Sequence, residues 1–140
     1  MAEPGRVLGL DLGDARIGVA ISDDGRRMAV PLGTVRTGPP DDVKAIADLV
    51  TEHEVTLVVV GLPLLMSGEA GERARLAERF AEALRGILPV EVLMQDERLS
   101  TAEADRALRD TGASGRDRRR TVDRSAATVI LQAWLDTRAV

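Results

Sequence analysis

The sequence predicts a single α/β domain over residues 1–140. Its core is a mixed five-stranded sheet, three antiparallel strands first and parallel strands after them, with helices on both faces. Three observations lead there. Residues 7–13, 16–22 and 28–35 are short strand-like runs separated by turn signals, the pattern of an antiparallel meander. From residue 41 onward, helical and strand patterns alternate, as crossover connections between parallel strands require. At 140 residues the chain is one domain of ordinary size, able to bury one core.

The first strand, Val7-Leu8-Gly9-Leu10-Asp11-Leu12-Gly13, reads as an unbroken buried run, except that it contains Asp11. A carboxylate in a dry core costs several kcal/mol unless it is paired, hydrogen-bonded or bound to a cation. Gly9 and Gly13 leave room beside it for another backbone or a ligand. Asp11 therefore reads as a functional carboxylate at a strand end, and the remaining chain must supply its partners.

Residues 16–22 form the second strand, followed by the turn signal Asp23-Asp24-Gly25. Residues 28–35 form the third, where Pro31 fits only at an edge or a bulge. After the loop Thr37-Gly38-Pro39-Pro40, Asp41 or Asp42 caps a helix running to about His53, with Val43, Ile46, Ala47 and Val50 at helical spacing. Residues 56–61 are the most strand-like in the chain and are expected to be central. A loop over 61–68 follows, then a helix over 72–88 whose apolar face is read as Leu76, Phe80, Ala83, Leu84 and Ile87. Pro89 stops it, and the fifth strand, 90–95, leads into Asp96-Glu97-Arg98. Ser100-Thr101-Ala102-Glu103 has capping-box spacing, so a helix is expected from there to Asp110. A polar loop over 112–120 and a last helix over 122–136 complete the chain.

Composition removes several chemistries. There is no cysteine, and one histidine, His53, cannot build a histidine metal site or a Ser-His-Asp triad. No stretch has signal-peptide or membrane-spanning character, so a soluble cytoplasmic protein is expected. His53 is expected to face solvent and Trp134 to lie in the core. The net charge of −4 argues against a nucleic-acid partner unless bound cations add positive charge where phosphates would lie. The local distribution is different: Arg116, Arg118, Arg119, Arg120 and Arg124 form a dense basic cluster, suited to phosphate contact or to a solvated loop.

Two further carboxylates are oddly placed. Glu97 leaves the fifth strand where Asp11 leaves the first, and Asp96 competes with it, since alternation sends the two to opposite sides. In a helix starting at residue 122, Asp123 would share the inward stripe of Ala126, Ala127, Ile130, Leu131 and Trp134. Three convergent carboxylates without histidine or cysteine describe a site for a hard cation such as Mg2+ or Mn2+. Two such ions can drive phosphodiester hydrolysis.

The segments Leu8-Gly9-Leu10-Asp11-Leu12-Gly13 with Arg16-Ile17-Gly18-Val19-Ala20, Val60-Gly61-Leu62-Pro63-Leu64, Asp96-Glu97-Arg98-Leu99-Ser100-Thr101 and Val122-Asp123 with Ser125-Ala126-Ala127 together resemble the YqgF/RuvX family. These are RNase H-like nucleases credited with Holliday junction resolution or pre-16S rRNA processing. The resemblance spans nearly the whole chain, with four motifs in order. It implies an RNase H-like fold, divalent-metal dependence, the acidic triad Asp11, Glu97 and Asp123 (with Glu97 chosen over Asp96), a cytoplasmic protein and compatibility with a homodimer. Family members often carry lysine just before the Val-Asp pair, where this chain has Arg118, Arg119 and Arg120. Arg16, Arg98, Arg118, Arg119, Arg120 and Arg124 are the candidate nucleic-acid contacts. Two other readings compete. An actin-like phosphotransferase would need a second domain around its nucleotide, and a non-catalytic nucleic-acid-binding or ribosome-assembly factor would keep the fold without turnover.

Overall fold

Alternation along the first strand sets the layout of the molecule. In the computed structural model, which describes residues 5–99 and 125–138, β1 (Arg6–Leu12) sends Leu8, Leu10 and Leu12 to one side of the sheet and Val7, Gly9 and Asp11 to the other. β2 (Arg16–Ser22) and β3 (Ala29–Arg36) follow antiparallel, and β4 (Val55–Leu62) and β5 (Glu91–Asp96) pair parallel, giving the order β3-β2-β1-β4-β5. The mixed five-stranded sheet is thus the one expected. The residues expected to be central lie in β4, an interior strand, but β1 occupies the middle.

The expected Asp23 turn closes β2 onto β3, with the Asp23 carboxylate accepting hydrogen bonds from the Arg27 and Met28 N–H groups, both at 2.9 Å. Pro31 sits on the edge strand beside a bulge: Val19 pairs with Gly33 and Ala20 with Pro31, leaving Leu32 as the extra residue. β3 therefore meets both conditions that a proline in a strand imposes.

Two helices cover the Leu8/Leu10 side. In α1 (Asp41–Glu52), Ile46 and Val50 are buried. The N-cap position is Pro40, not Asp41 or Asp42. Asp42 instead lies inside the first turn, buried, its Oδ2 accepting from the Gly38 N–H at 3.1 Å, so it ties the preceding loop to the helix. In α2 (Glu72–Ile87) the buried stripe is Ala74, Ala77, Phe80, Ala81 and Leu84. That corrects the expected face, because Leu76, Ala83 and Ile87 are exposed. Small alanines let the helix lie close to the sheet, and the larger Leu76 and Ile87 are left at the margins. His53, expected to face solvent, is half-buried at the end of α1.

The opposite side carries one described helix, α3 (Ala126–Arg138), packed across β1, β2, β3 and β4. It begins at Ala126, not at residue 122: Ser125 is the N-cap, its carbonyl accepting from the Val129 N–H and its Oγ from the Thr128 N–H. Ala126, Ala127, Ile130, Leu131 and Trp134 are buried against Val7, Ala20, Leu57 and Val59, as the stripe required. Gln132 pins the helix to β3, accepting from the Ala29 N–H at 2.8 Å and donating to the Arg27 carbonyl at 3.0 Å. The helix expected from Ser100 and the loop over 112–120 lie outside the described residues, and no described helix is long and apolar enough to cross a membrane.

Candidate active site

The α3 side of the sheet lacks side chains along one row. Asp11 pairs with Gly18 on β2, and on its other flank lies Gly61, the residue after the Leu10–Val60 pair. Gly61 in turn pairs with Gln95 on β5. The row therefore reads Gly18, Asp11, Gly61, Gln95 across four strands, with only hydrogen atoms beside the carboxylate. Gly9, two residues before Asp11, continues the bare surface, since a methyl group there would lie 2.7 Å from Leu131 Cβ. The first turn of α3 lies over this surface: a methyl at Gly18 would sit 3.5 Å from Ala127 Cβ and 3.8 Å from Asp11 Cβ.

Glu97 enters from the far edge. It starts the 3-10 turn Glu97–Leu99 directly after β5, and it continues the α3-facing set of Leu93 and Gln95. Its side chain folds back over β4, so that a methyl at Gly61 would lie 2.8 Å from Glu97 Oε2 and 2.6 Å from Ile130 Cδ1. Glu97 is 2 % exposed, more deeply buried than Asp11, which is only half-buried at its strand end. The burial that singles out Asp11 in the sequence thus belongs more strongly to Glu97. Gln95 is buried beside them and its Nε2 has no hydrogen-bond partner among the described residues. An amide donor is left there for an oxygen that those residues do not supply.

The neighbouring charges separate as alternation requires. Asp96 turns to the other side and accepts from Arg98, with Nη2 to Oδ2 at 2.7 Å. Those side-chain hydrogen bonds hold the Asp96 carboxyl below its ordinary range, against a smaller opposing effect of burial. Arg98 is therefore committed to Asp96 and leans on the 61–68 loop, donating to the Met66 carbonyl at 3.5 Å. Arg16 is exposed at the start of β2, two residues from Gly18 and on the same side as Asp11. Among the predicted site residues, the structure thus brings Asp11, Glu97 and Arg16 to one face and one end of the sheet. Asp123, Arg118, Arg119, Arg120 and Arg124 lie outside the described residues, as does Arg116.

Among the described residues no three acids form a cluster able to hold a metal ion. The two that converge, Asp11 and Glu97, nevertheless offer hard carboxylate oxygens on either side of Gly61, whose missing side chain leaves the place that Glu97 fills, and such oxygens are the donors that Mg2+ or Mn2+ takes. Sequence reading missed the parts that make this room, Gly18 and Gly61 as a row and Gln95 at its end. The usable signal was register: glycines fall opposite a carboxylate on both neighbouring strands.

The chain is similar to known proteins over nearly its whole length. The sequence profile of a family described as RuvX, Holliday junction resolvase, matches residues 5–137. A relative from Anaeromyxobacter dehalogenans (strain 2CP-C), named "Putative pre-16S rRNA nuclease", is 52% identical over 135 residues, covering 96% of this chain and 98% of its own. A relative of the same name from Roseiflexus sp. (strain RS-1) is 43% identical over 137 residues, covering 97% of each chain. Among solved structures, T. thermophilus RuvC in complex with a Holliday junction substrate superposes with a TM-score of 0.55 at 15% identity over 96% of both chains, a likeness of fold.

Proposed function

The chain belongs to the RuvX Holliday junction resolvase family, and on that premise we propose that it is a metal-dependent nuclease hydrolysing nucleic-acid phosphodiester bonds, acting on the 5′ end of pre-16S rRNA, on Holliday junctions, or on both. The observation that carries this reading is the convergence of Asp11 and Glu97 on the glycine-lined face under the start of α3. Asp123 supplies the third carboxylate. Together the three would hold two Mg2+ or Mn2+ ions, which when bound supply an activated water and neutralise the charge on the leaving oxygen.

The chain's own groups do the positioning. Gly18 and Gly61 let the start of α3 and the Glu97 carboxylate come in close to Asp11, and Ile130 and Leu131 close the inner side against water. The Gln95 amide offers a donor to an oxygen entering beside Glu97. Arg16 and the basic run Arg118, Arg119, Arg120 and Arg124 contact backbone phosphates, while Arg98 acts through Asp96 to fix the chain just after Glu97.

Purified protein incubated with a four-way DNA junction and with a pre-16S rRNA leader, each in Mg2+ and in Mn2+, tests the proposal. Asp11→Asn and Glu97→Gln should each abolish cleavage while the far-ultraviolet dichroism stays that of the wild type. Full activity in either variant, or of the wild type in EDTA, would overturn it.

A further inference from the structure

The β2–β3 side of the sheet, at the end where Asp11 lies, carries a feature that folding alone does not favour. Arg16 on β2 and Arg36 on β3 are directly opposite in the antiparallel ladder. Residues so paired project from the same face with Cβ atoms about 4.5–5.5 Å apart, where like charges destabilise the sheet. Both side chains are exposed, and neither has an ion-pair partner among the described residues. The juxtaposition is also held firmly. Thr37, next to Arg36, donates its N–H to the Ala15 carbonyl and its hydroxyl to the Gly13 carbonyl, both at 3.0 Å, which locks the end of β3 against the turn that carries Arg16.

The position of the pair relative to the acids gives it a use. Arg16 lies two residues from Gly18, the partner of Asp11, so its Cα is about 8 Å from that of Asp11 by strand geometry, and Arg36 is one strand further out. Both face the α3 side, as Asp11 does. A chain of phosphates crossing the site from Glu97 past Asp11 would leave over this corner, where two guanidinium groups present ten N–H donors in fixed forks.

We propose that Arg16 and Arg36 form a phosphate clamp that holds the nucleic-acid backbone beside the cleavage site, with Arg36 a binding residue distinct from the acidic centre. This rests on the nuclease reading for its ligand, but not for its test. The repulsion within the pair is relieved when an anionic phosphate lies between the two cations.

The test measures binding without turnover. Fluorescence anisotropy of a labelled four-way DNA junction and of a labelled pre-16S rRNA leader is followed in calcium across a salt series, with probe integrity checked on gels. Arg36→Gln should lower the slope of log Kd against log salt by about one, and the Arg16→Gln/Arg36→Gln double variant by about two. Arg36→Lys should keep the slope near wild type. The melting temperature of Arg36→Gln without nucleic acid should hold or rise, because a like-charge contact is removed. A common loss on both probes marks the shared phosphate chemistry, and a loss on one alone assigns the clamp to that substrate. An unchanged slope in the double variant, or a fall in melting temperature that accompanies the loss, would overturn the proposal. Asp11→Asn retaining cleavage would refute the nuclease reading and leave the clamp standing or falling on its own slopes.

Discussion

Gly61→Ala tests the arrangement at the centre of the site, because it adds one methyl group where two parts of the molecule meet. That methyl would lie 2.8 Å from Glu97 Oε2 and 2.6 Å from Ile130 Cδ1. Ordinary contact begins near 3.5 Å, so the carboxylate must retreat by about 0.7 Å and the isoleucine tip by about 0.9 Å. Overpacking of this size costs about 1–3 kcal/mol of stability, whereas a displacement approaching 1 Å in a reacting group can cost about a hundredfold in rate. The two effects can be separated. Ile130→Val removes the Cδ1 atom and with it the apolar half of the clash, so Gly61→Ala/Ile130→Val should recover part of the lost melting temperature. The Glu97 half of the clash remains, and cleavage should stay depressed on the order of a hundredfold. Single-turnover cleavage and thermal melting of the two single variants, the double variant and the wild type form a complete cycle. Wild-type cleavage by Gly61→Ala, or cleavage that returns together with stability in the double variant, would refute the claim that the bare glycine sets the place of Glu97.

Three further outcomes are expected. Asp42→Ala removes a buried carboxylate and leaves the half-buried Gly38 N–H without its acceptor, and should destabilise the fold by about 1–3 kcal/mol in urea melts with little change in cleavage of the folded fraction. The Asp23 carboxyl is held below its ordinary value, first by the Met28 N–H and then by that of Arg27, so its stabilising contribution is present above the unfolded value of 3.8 and is lost as pH falls through the lower folded value. Melts of wild type and Asp23→Asn should therefore differ at neutral pH and converge in acid. Mg2+ or Mn2+ at a hundredfold over its dissociation constant should stabilise the protein by about 2.7 kcal/mol, and calorimetry of Asp11→Asn and Glu97→Gln should show that shift reduced.

The sheet was legible in the sequence because strands carry their own signals. Runs of β-branched residues and the Asp23 turn located five strands, and Pro31 restricted its strand to an edge or a bulge. That Asp96 and Glu97 part to opposite sides was legible too, since a two-residue period requires it, while the choice of Glu97 came from the family resemblance. The face of α2 was not. The expected face joined Leu76, Ala83 and Ile87 to Phe80 and Leu84, but the sheet takes the stripe of Ala74, Ala77 and Ala81 with Phe80 and Leu84. The relative burial of the two acids was also hidden. How far Glu97 folds back depends on Gly61, a residue thirty-six positions earlier whose relation to it exists only through the β4–β5 register. Arg36 escaped for the same reason: its meaning comes from standing opposite Arg16, and a bulge at Leu32 shifts the count that a sequence reading would use.

These cases point to one physical origin for both packing and chemistry. A helix can lie close to a sheet only where the sheet lacks side chains, and here Gly9, Gly18 and Gly61 provide that surface beneath Leu131, Ala127 and Ile130. The same absence lets Asp11 and Glu97 lie near the first turn of α3, where the capped N-terminus presents the positive end of the helix dipole. That field favours anionic oxygens brought to this end of the sheet. A methyl at Gly61 would push against the helix and Glu97 together, one at Gly9 against the helix alone, and one at Gly18 would meet only ordinary contact. Gly61 is thus a joint requirement of the α3 interface and of the carboxylate site, and its loss should be felt in both.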